Sequence, residues 1–159
     1  MPLKSRRVWA LAMNASRARI VRNIAGDPSD QSSELVIRSG AEHLREVMSD
    51  RPGRSFASSG TGRRSAMEYG SDPLAEDERR FVRQVVDMLD THRRAGDFDT
   101  LAIFAEPSVL GRLRDEMPER LRAVTTCEVP KNYLQVPAND LTGLLAKEIA
   151  EAGNMRNVQ

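Results

Sequence analysis

Val8–Met13 reads VWALAM, an unbroken apolar run near the start of the chain. A strand that is apolar on both alternating faces is typical of a sheet centre, where other layers cover it on both sides. Ala18–Ile24 (ARIVRNI) follows after a short polar turn, so the two segments predict an antiparallel hairpin. Glu34–Ser39 (ELVIRS) predicts a third strand. The first part of the chain is therefore expected to be a strand meander built on VWALAM.

Basic residues dominate this N-terminal part. Up to Asn23 the chain carries six basic residues and no acid. We expect Arg19 and Arg22 of the second strand to point outward. One edge of the sheet would then be positive, unless these arginines pair with acids elsewhere in the fold, and the sequence leaves both possibilities open.

Strands alternate with helices beyond residue 72. The clearest helix is predicted from Pro73 to about Ala95, with proline in its first turn, acids near its start and Gly96 as its stop. The other predicted elements are strands at Asp99–Ala105 and Ala123–Val129 and helices at Ser108–Met117 and Asn139–Glu151. This order predicts a single α/β domain over residues 1–152, a mixed five-stranded sheet with helices on both faces, and a mobile tail at 153–159.

Composition excludes several classes of protein. The net charge of +1 restricts any nucleic-acid affinity to local patches, and 4% aromatic residues are poor material for stacking single-stranded bases. Cys127 is the only cysteine, so an internal disulfide is impossible. Val8–Met13 is too short for the apolar region of a signal peptide, and no stretch has the length of a membrane span. We therefore expect a cytoplasmic protein without metal or other cofactor, in an oligomeric state that the sequence leaves open.

Residues 49–71 read SDRPGRSFASSGTGRRSAMEYGS, a long segment without helix or strand periodicity. Such a loop within a compact domain is usually functional or disordered. From residue 51 to 64 it has four arginines and no acid, whereas residues 65–78 have five acids and no base. Arginine binds phosphate through paired hydrogen bonds, and glycine lets a nucleic-acid backbone approach closely. The candidate nucleic-acid or phosphate-binding residues are Arg51, Arg54, Gly60, Gly62, Arg63 and Arg64. Alternatively, the arginines fold back onto the acids that follow. In either case Phe56 and Met67, the large apolar residues of the loop, are expected to pin its ends to the core.

Known catalytic motifs are not found. The glycines of Gly60–Ser65 are too close together for a P-loop and no lysine follows them, and a Gly-x-Ser-x-Gly motif does not occur. The two histidines, His43 and His92, have no neighbouring nucleophile signature. No catalytic residue is nominated, although an enzyme acting on a phosphorylated substrate stays an alternative.

Several strings resemble the bacterial host-attachment protein family. They are Ala18-Arg19-Ile20, SDRPGRSF at 49–56, Gly62-Arg63-Arg64, Ala66-Met67-Glu68, Asp72-Pro73, Phe81, Ala105-Glu106-Pro107, Leu110-Gly111 and Leu113. The resemblance covers nearly the whole chain. It departs from the family at Asn14, where an acid usually follows the first strand, and at Lys131–Leu134, where the family has Lys-Asp-Leu.

That family is in turn distantly similar to the central domain of archaeo-eukaryotic translation release factors and Pelota. In release factors a Gly-Gly-Gln loop reaches the peptidyl transferase centre, and Gly62-Arg63-Arg64 stands at the corresponding place here. Without the glutamine, the resemblance implies no peptidyl-tRNA hydrolysis. It implies a non-catalytic module that associates with the ribosome or structured RNA through its basic loop. The alternative is an interaction factor in attachment to host cells, which docks an acidic protein partner without RNA.

Overall fold

Five strands form one mixed sheet in a computed structural model that describes residues 7–24, 33–40 and 73–157. The strands are β1 (Val8–Met13), β2 (Arg17–Arg22), β3 (Ser33–Arg38), β4 (Thr100–Ala105) and β5 (Thr125–Val129). The helices of the described ranges are α1 (Pro73–Arg94), α2 (Pro107–Glu116), α3 (Glu119–Arg122) and α4 (Ala138–Asn157). The predicted single α/β domain with a five-stranded mixed sheet is confirmed.

β1 lies at the centre of the sheet, whose strand order is β3-β2-β1-β4-β5. Met13 at its end lies opposite Ala18 of antiparallel β2 and opposite Ala105 of parallel β4. β3 is antiparallel to β2, and β5 is parallel to β4. Four of the strands, β1, β3, β4 and β5, therefore run in the same direction. Their C-terminal ends meet along one side of the sheet, which we call the carboxyl edge.

Apolar clusters cover both faces of the sheet, as the sequence of β1 requires. Leu11 and Met13 belong to the cluster formed with α1, α2 and α3, whereas Ala10 and Ala12 belong to the cluster formed with α4. The main helical contributors to the first cluster are Phe81, Val85, Leu89, Val109, Leu113 and Leu121. Leu141 and Leu145 of α4 pack with Phe104 and Cys127 on the second face, so the lone cysteine is a buried packing residue. Fully burying each large apolar side chain contributes about 1.5–3 kcal/mol.

α1 ends where the sequence predicts. Gly96 has a φ of +78°, which is the left-handed conformation that glycine adopts without a steric penalty. Its N–H donates to the carbonyl of Arg93 at 3.1 Å, and the N–H of Asp97 donates to the carbonyl of His92 at 2.9 Å. This pair of bonds satisfies two of the last helical carbonyls. His92 is partly buried, and its Nδ1 lies 2.6 Å from Oδ2 of Asp97.

Arg19 corrects one prediction, because it is buried with only 7% of its surface exposed. The prediction that Arg19 and Arg22 both point outward was wrong, since positions three apart in a strand lie on opposite faces. Nε and Nη2 of Arg19 donate to Oε1 of Glu34 on β3, at 3.0 and 2.6 Å. Its Nη1 donates to the carbonyls of Val136 at 2.5 Å and Leu134 at 3.3 Å. Arg19 thus joins β2 and β3 to the loop that precedes α4.

A second N-terminal arginine also has an acidic partner. Arg7 donates its backbone N–H to Oδ2 of Asp99 at 2.9 Å, and its Nε lies 3.7 Å from the same oxygen. For Arg7 and Arg19, therefore, the alternative in which the N-terminal arginines pair with acids elsewhere is correct.

α4 is longer than the sequence indicates. It continues beyond the predicted end at Glu151, through Gly153, to Asn157. Glycine inside a helix costs about 1 kcal/mol relative to alanine, which is why Gly153 reads as a helix end. The mobility of residues 153–159 stays a prediction.

Candidate functional site

A polar crevice lies at the carboxyl edge, where β1 and β4 end side by side. Its volume is about 270 Å³, and the described residues that line it are Asn14, Ala15, Ser16, Glu78, Glu106, Ser108, Val109 and Arg112. From β1 the chain proceeds to β2 and β3 on one side, and then returns to β4 and β5 on the other. The strand order reverses between β1 and β4, and open α/β sheets bind their ligands at this point, outside the carboxyl ends of the strands. The crevice therefore occupies the part of the fold that most favours ligand binding.

Asn14 forms the wall of the crevice that follows β1. Its Oδ1 accepts hydrogen bonds from the backbone N–H groups of Ser16 at 2.9 Å and Arg17 at 2.8 Å, and from the Ser16 hydroxyl at 3.3 Å. These bonds hold the turn between β1 and β2. Because the oxygen is occupied in the turn, the amide Nδ2 is the group of Asn14 that is left to donate to a ligand.

Glu106 stands between the end of β4 and the start of α2. It occupies the N-cap position, but its side chain makes no capping hydrogen bond. Oε1 of Glu106 accepts a long bond of 3.4 Å from Nδ2 of Asn132. Pro107 has no N–H, and the N–H groups of Ser108 and Val109 in the first turn have no partner inside the helix. The start of α2 thus brings a carboxylate and backbone donors to the same side of the crevice.

Arg112 and Glu78 form an ion pair between α2 and α1 in the lining of the crevice. Arg112 lies four positions after Ser108, so both occupy one face of α2. Its Nη1 donates to Oε2 of Glu78 on α1, and the two side chains are 36% and 29% exposed. Since the guanidinium and this carboxylate neutralise one another, Glu106 supplies the excess charge. The described lining residues, which include two carboxylates and one guanidinium, carry a net charge of −1.

The residues predicted from the sequence to bind nucleic acid or phosphate lie outside the described ranges. This holds for Arg51, Arg54, Gly60, Gly62, Arg63 and Arg64, and also for Phe56 and Met67. The flanking residues are described. The N–H of Ser39, after β3, donates to the carbonyl of Ser16 at 2.7 Å, and α1 begins at Pro73, a few residues before Glu78 in the crevice wall. Segment 41–72 is therefore connected to the described domain at the carboxyl edge.

Two of the acids that follow the basic segment already have other basic partners. Oδ1 of Asp77 lies 3.6 Å from Nη1 of Arg80, and Glu78 accepts from Arg112. If the loop arginines fold back onto the following acids, they must pair with other acids or share these two carboxylates with Arg80 and Arg112.

Metal sites and membrane-spanning helices are both absent from the described ranges. Within residues 7–24, 33–40 and 73–157, no three His, Cys, Asp or Glu side chains are grouped so that they could hold a metal ion. None of the helices in these ranges combines the length and apolar character that a bilayer span requires.

Sequence reasoning did not predict the crevice. Asn14 was interpreted as a turn residue, and Glu106 only as part of a family string. One signal was present, because each of them is the first polar residue after a buried strand. Since β4 is apolar like β1, and such strands lie at the centre of a sheet, their ends could have been placed together.

The fold and the crevice define an open α/β domain with a polar crevice where the strand order reverses. The family model described as "Protein required for attachment to host cells" matches residues 9–145. The match covers most of the chain, including every crevice residue and the whole of segment 41–72, so the chain belongs to that family. A search of curated proteins gives no significant match.

Proposed function

We propose that this protein supports attachment to host cells from the cytoplasm, as a non-catalytic module that associates with the ribosome or with structured RNA. The family description supports the role in attachment. The RNA contact is assigned to segment 41–72, and within it to Arg51, Arg54, Arg63 and Arg64. The loss of the Gly-Gly-Gln pattern at Gly62-Arg63-Arg64 supports a role in binding without peptidyl-tRNA hydrolysis.

One observation carries the proposal: a run of four arginines without an acid is connected to the domain at its carboxyl edge. Guanidinium groups bind phosphate through two parallel hydrogen bonds, and such contacts dominate affinity for nucleic-acid backbones. The arginines keep their charge at any physiological pH. Asp77 pairs with Arg80, and Glu78 pairs with Arg112. These pairs support the proposal, because they leave fewer nearby carboxylates to neutralise the four arginines of residues 51–64.

Sedimentation through a sucrose gradient with ribosomes from the protein's own lysate tests this proposal. Four phosphate contacts predict a log–log salt slope of roughly −3 to −4, so raising the salt from about 50 to about 300 mM should weaken binding by two to three orders of magnitude. We expect co-migration at low salt that disappears at high salt or after RNase treatment. A protein that stays at the top of the gradient in every condition would refute RNA association.

The responsible residues are identified by a matched pair of variants. Arg63→Ala/Arg64→Ala should lose co-migration at low salt. Arg94→Ala/Arg122→Ala removes the same charge from two arginines that are 61% and 51% exposed, at helix ends away from the carboxyl edge, and should behave as the parent. Equal losses from both variants would indicate a general charge effect and would contradict a role for segment 41–72.

A second candidate is an interaction factor in attachment that docks an acidic protein. The family description favours it, because that description names attachment and not RNA. In this case, the tagged protein should capture a defined acidic protein from a lysate, and the capture should persist after RNase treatment. The Arg63→Ala/Arg64→Ala variant should fail to capture that protein. RNase sensitivity of the captured material would exclude this candidate in favour of RNA association.

A further inference from the structure

We infer that the crevice at the carboxyl edge binds a small zwitterion of the α-amino acid class. Glu106 faces the ammonium group of this ligand, and the first turn of α2 faces its carboxylate. The inference concerns a different surface from segment 41–72 and does not depend on RNA binding.

The position and size of the crevice indicate a small ligand. Met13 and Ala105 are register partners, so the next residues, Asn14 and Glu106, begin about 5 Å apart, the spacing of neighbouring strands. The volume of about 270 Å³ lies just below the range of about 300–1,000 Å³ of sites for drug-sized ligands. An amino acid is small enough to enter such a space and long enough to contact both strand ends.

The charges of the lining favour a ligand with both signs. Among the described lining residues, a simple anion such as phosphate would meet two carboxylates, Glu78 and Glu106, against one guanidinium that Glu78 already engages. A simple cation would pair with Glu106 but would leave the first-turn N–H groups of Ser108 and Val109 without an acceptor. Removing polar groups from water without giving them a partner is unfavourable. Either ion alone would pair with only one of the two sets of polar groups in the crevice.

A zwitterion satisfies both sets of groups. Its ammonium group donates to Glu106, the one carboxylate of the lining without an arginine partner among the described residues. Its carboxylate accepts from the N–H groups at the positive end of the α2 dipole and from Nδ2 of Asn14. Ser108 adds a hydroxyl at the mouth of the crevice, where it is exposed.

Thermal unfolding of the full chain in the presence of defined small molecules tests the inference. Each standard α-amino acid, methylamine, acetate and inorganic phosphate are added separately at equal concentration. For a Kd of about 1 mM, a ligand at about 10 mM should raise the Tm of a domain of this size by about 3–6 °C. We expect this shift from one or more amino acids, and not from methylamine, acetate or phosphate.

Variants assign the shift to the crevice. Glu106→Gln keeps the size of the side chain but removes its charge, and titration calorimetry should show about tenfold weaker binding. Glu119→Gln, whose side chain is 86% exposed on α3, is the matched control and should bind as the parent. Ser108→Trp fills the mouth of the crevice from an exposed position and should abolish binding while the unliganded Tm stays near that of the parent.

Several outcomes would overturn the inference. The first is a panel in which no amino acid changes the Tm. The second is phosphate or acetate stabilising the protein as much as the amino acids, which would indicate an anion site. The third is unchanged binding in Glu106→Gln or in Ser108→Trp, which would place the ligand elsewhere.

Discussion

Arg19→Met removes the guanidinium that joins β2, β3 and the loop before α4, while most of the apolar stem is kept. The substitution leaves the carboxylate of Glu34, which is 23% exposed, without its partner. It also leaves the carbonyls of Leu134 and Val136 without the Nη1 donor. Removing one partner of a fully buried ion pair costs about 3–5 kcal/mol. Since Glu34 is partly hydrated, we expect a loss of about 3 kcal/mol in the free energy of unfolding and a fall in Tm of about 6–12 °C.

Urea unfolding followed by circular dichroism measures this loss in a double-mutant cycle. Glu34→Gln alone should also destabilise the protein, because it leaves a buried guanidinium without a counter-ion. The double variant should recover about 1–3 kcal/mol relative to the sum of the single losses, since neither charge then remains unpaired. The loss of the Leu134 and Val136 contacts is expected to persist in the double variant.

Arg83→Met is the control, because Arg83 forms an ion pair with Glu116 at 3.2 Å but is 61% exposed. Exposed pairs of this kind contribute little, so no measurable change is expected. If Arg19→Met were as stable as Arg83→Met, the structural role assigned to the buried arginine would be refuted.

Three further predictions concern other parts of the fold. The guanidinium of Arg120, which donates to Asp90 at 2.7 and 2.6 Å, holds the pKa of that carboxyl below its usual value despite partial opposition from burial. The resulting stabilisation is present above the unfolded pKa of about 4 and is lost as pH falls through the folded pKa. Asp90→Asn should therefore reduce the loss of stability on the acid side of a stability–pH profile, and a profile equal to that of the parent would contradict this. Gly96→Ala should cost about 1 kcal/mol in urea unfolding because of its positive φ, and a neutral result would argue against the left-handed helix end. Phe104→Ala, at a fully buried site beneath α4, should cost about 3–5 kcal/mol in the same assay, with a loss under 1 kcal/mol counting against the second apolar cluster.

The architecture could be predicted where local chemistry and tertiary packing agree. VWALAM is apolar on both faces because β1 has helices on both sides, and this information is present within the segment itself. The end of α1 was predictable because glycine at position 96 favours the required positive φ. The burial of Arg19 was not predictable in this way. Its acceptors at residues 134 and 136 are more than 100 positions away in the sequence, and no local pattern reports them.

The crevice was harder to predict than the sheet, because three distant pieces of the chain build it. Residues 14–16, Glu78 and residues 106–112 each have an ordinary local explanation as a turn, a helix N-terminal acid and a strand–helix junction. Only the register of β1 with β4 brings them together. The basic segment illustrates the opposite situation. Its charge pattern is obvious in the sequence, but the positions of its arginines lie outside the described ranges, so their role stays a prediction.

The central position of β1 has a consequence for synthesis of the chain. During translation VWALAM emerges early and can pair with β2 almost at once, but its other neighbour, β4, begins only at Thr100. At roughly 5–20 residues per second, the β4 side of this apolar strand waits for about 5–20 s before its partner has been made. An apolar strand with an open edge is a template for pairing with other chains. β1 is central in the finished sheet, but it is made long before β4. The nascent chain therefore needs protection at the β4 side of β1, from a chaperone or from the ribosome itself, until Ala105 has left the ribosome.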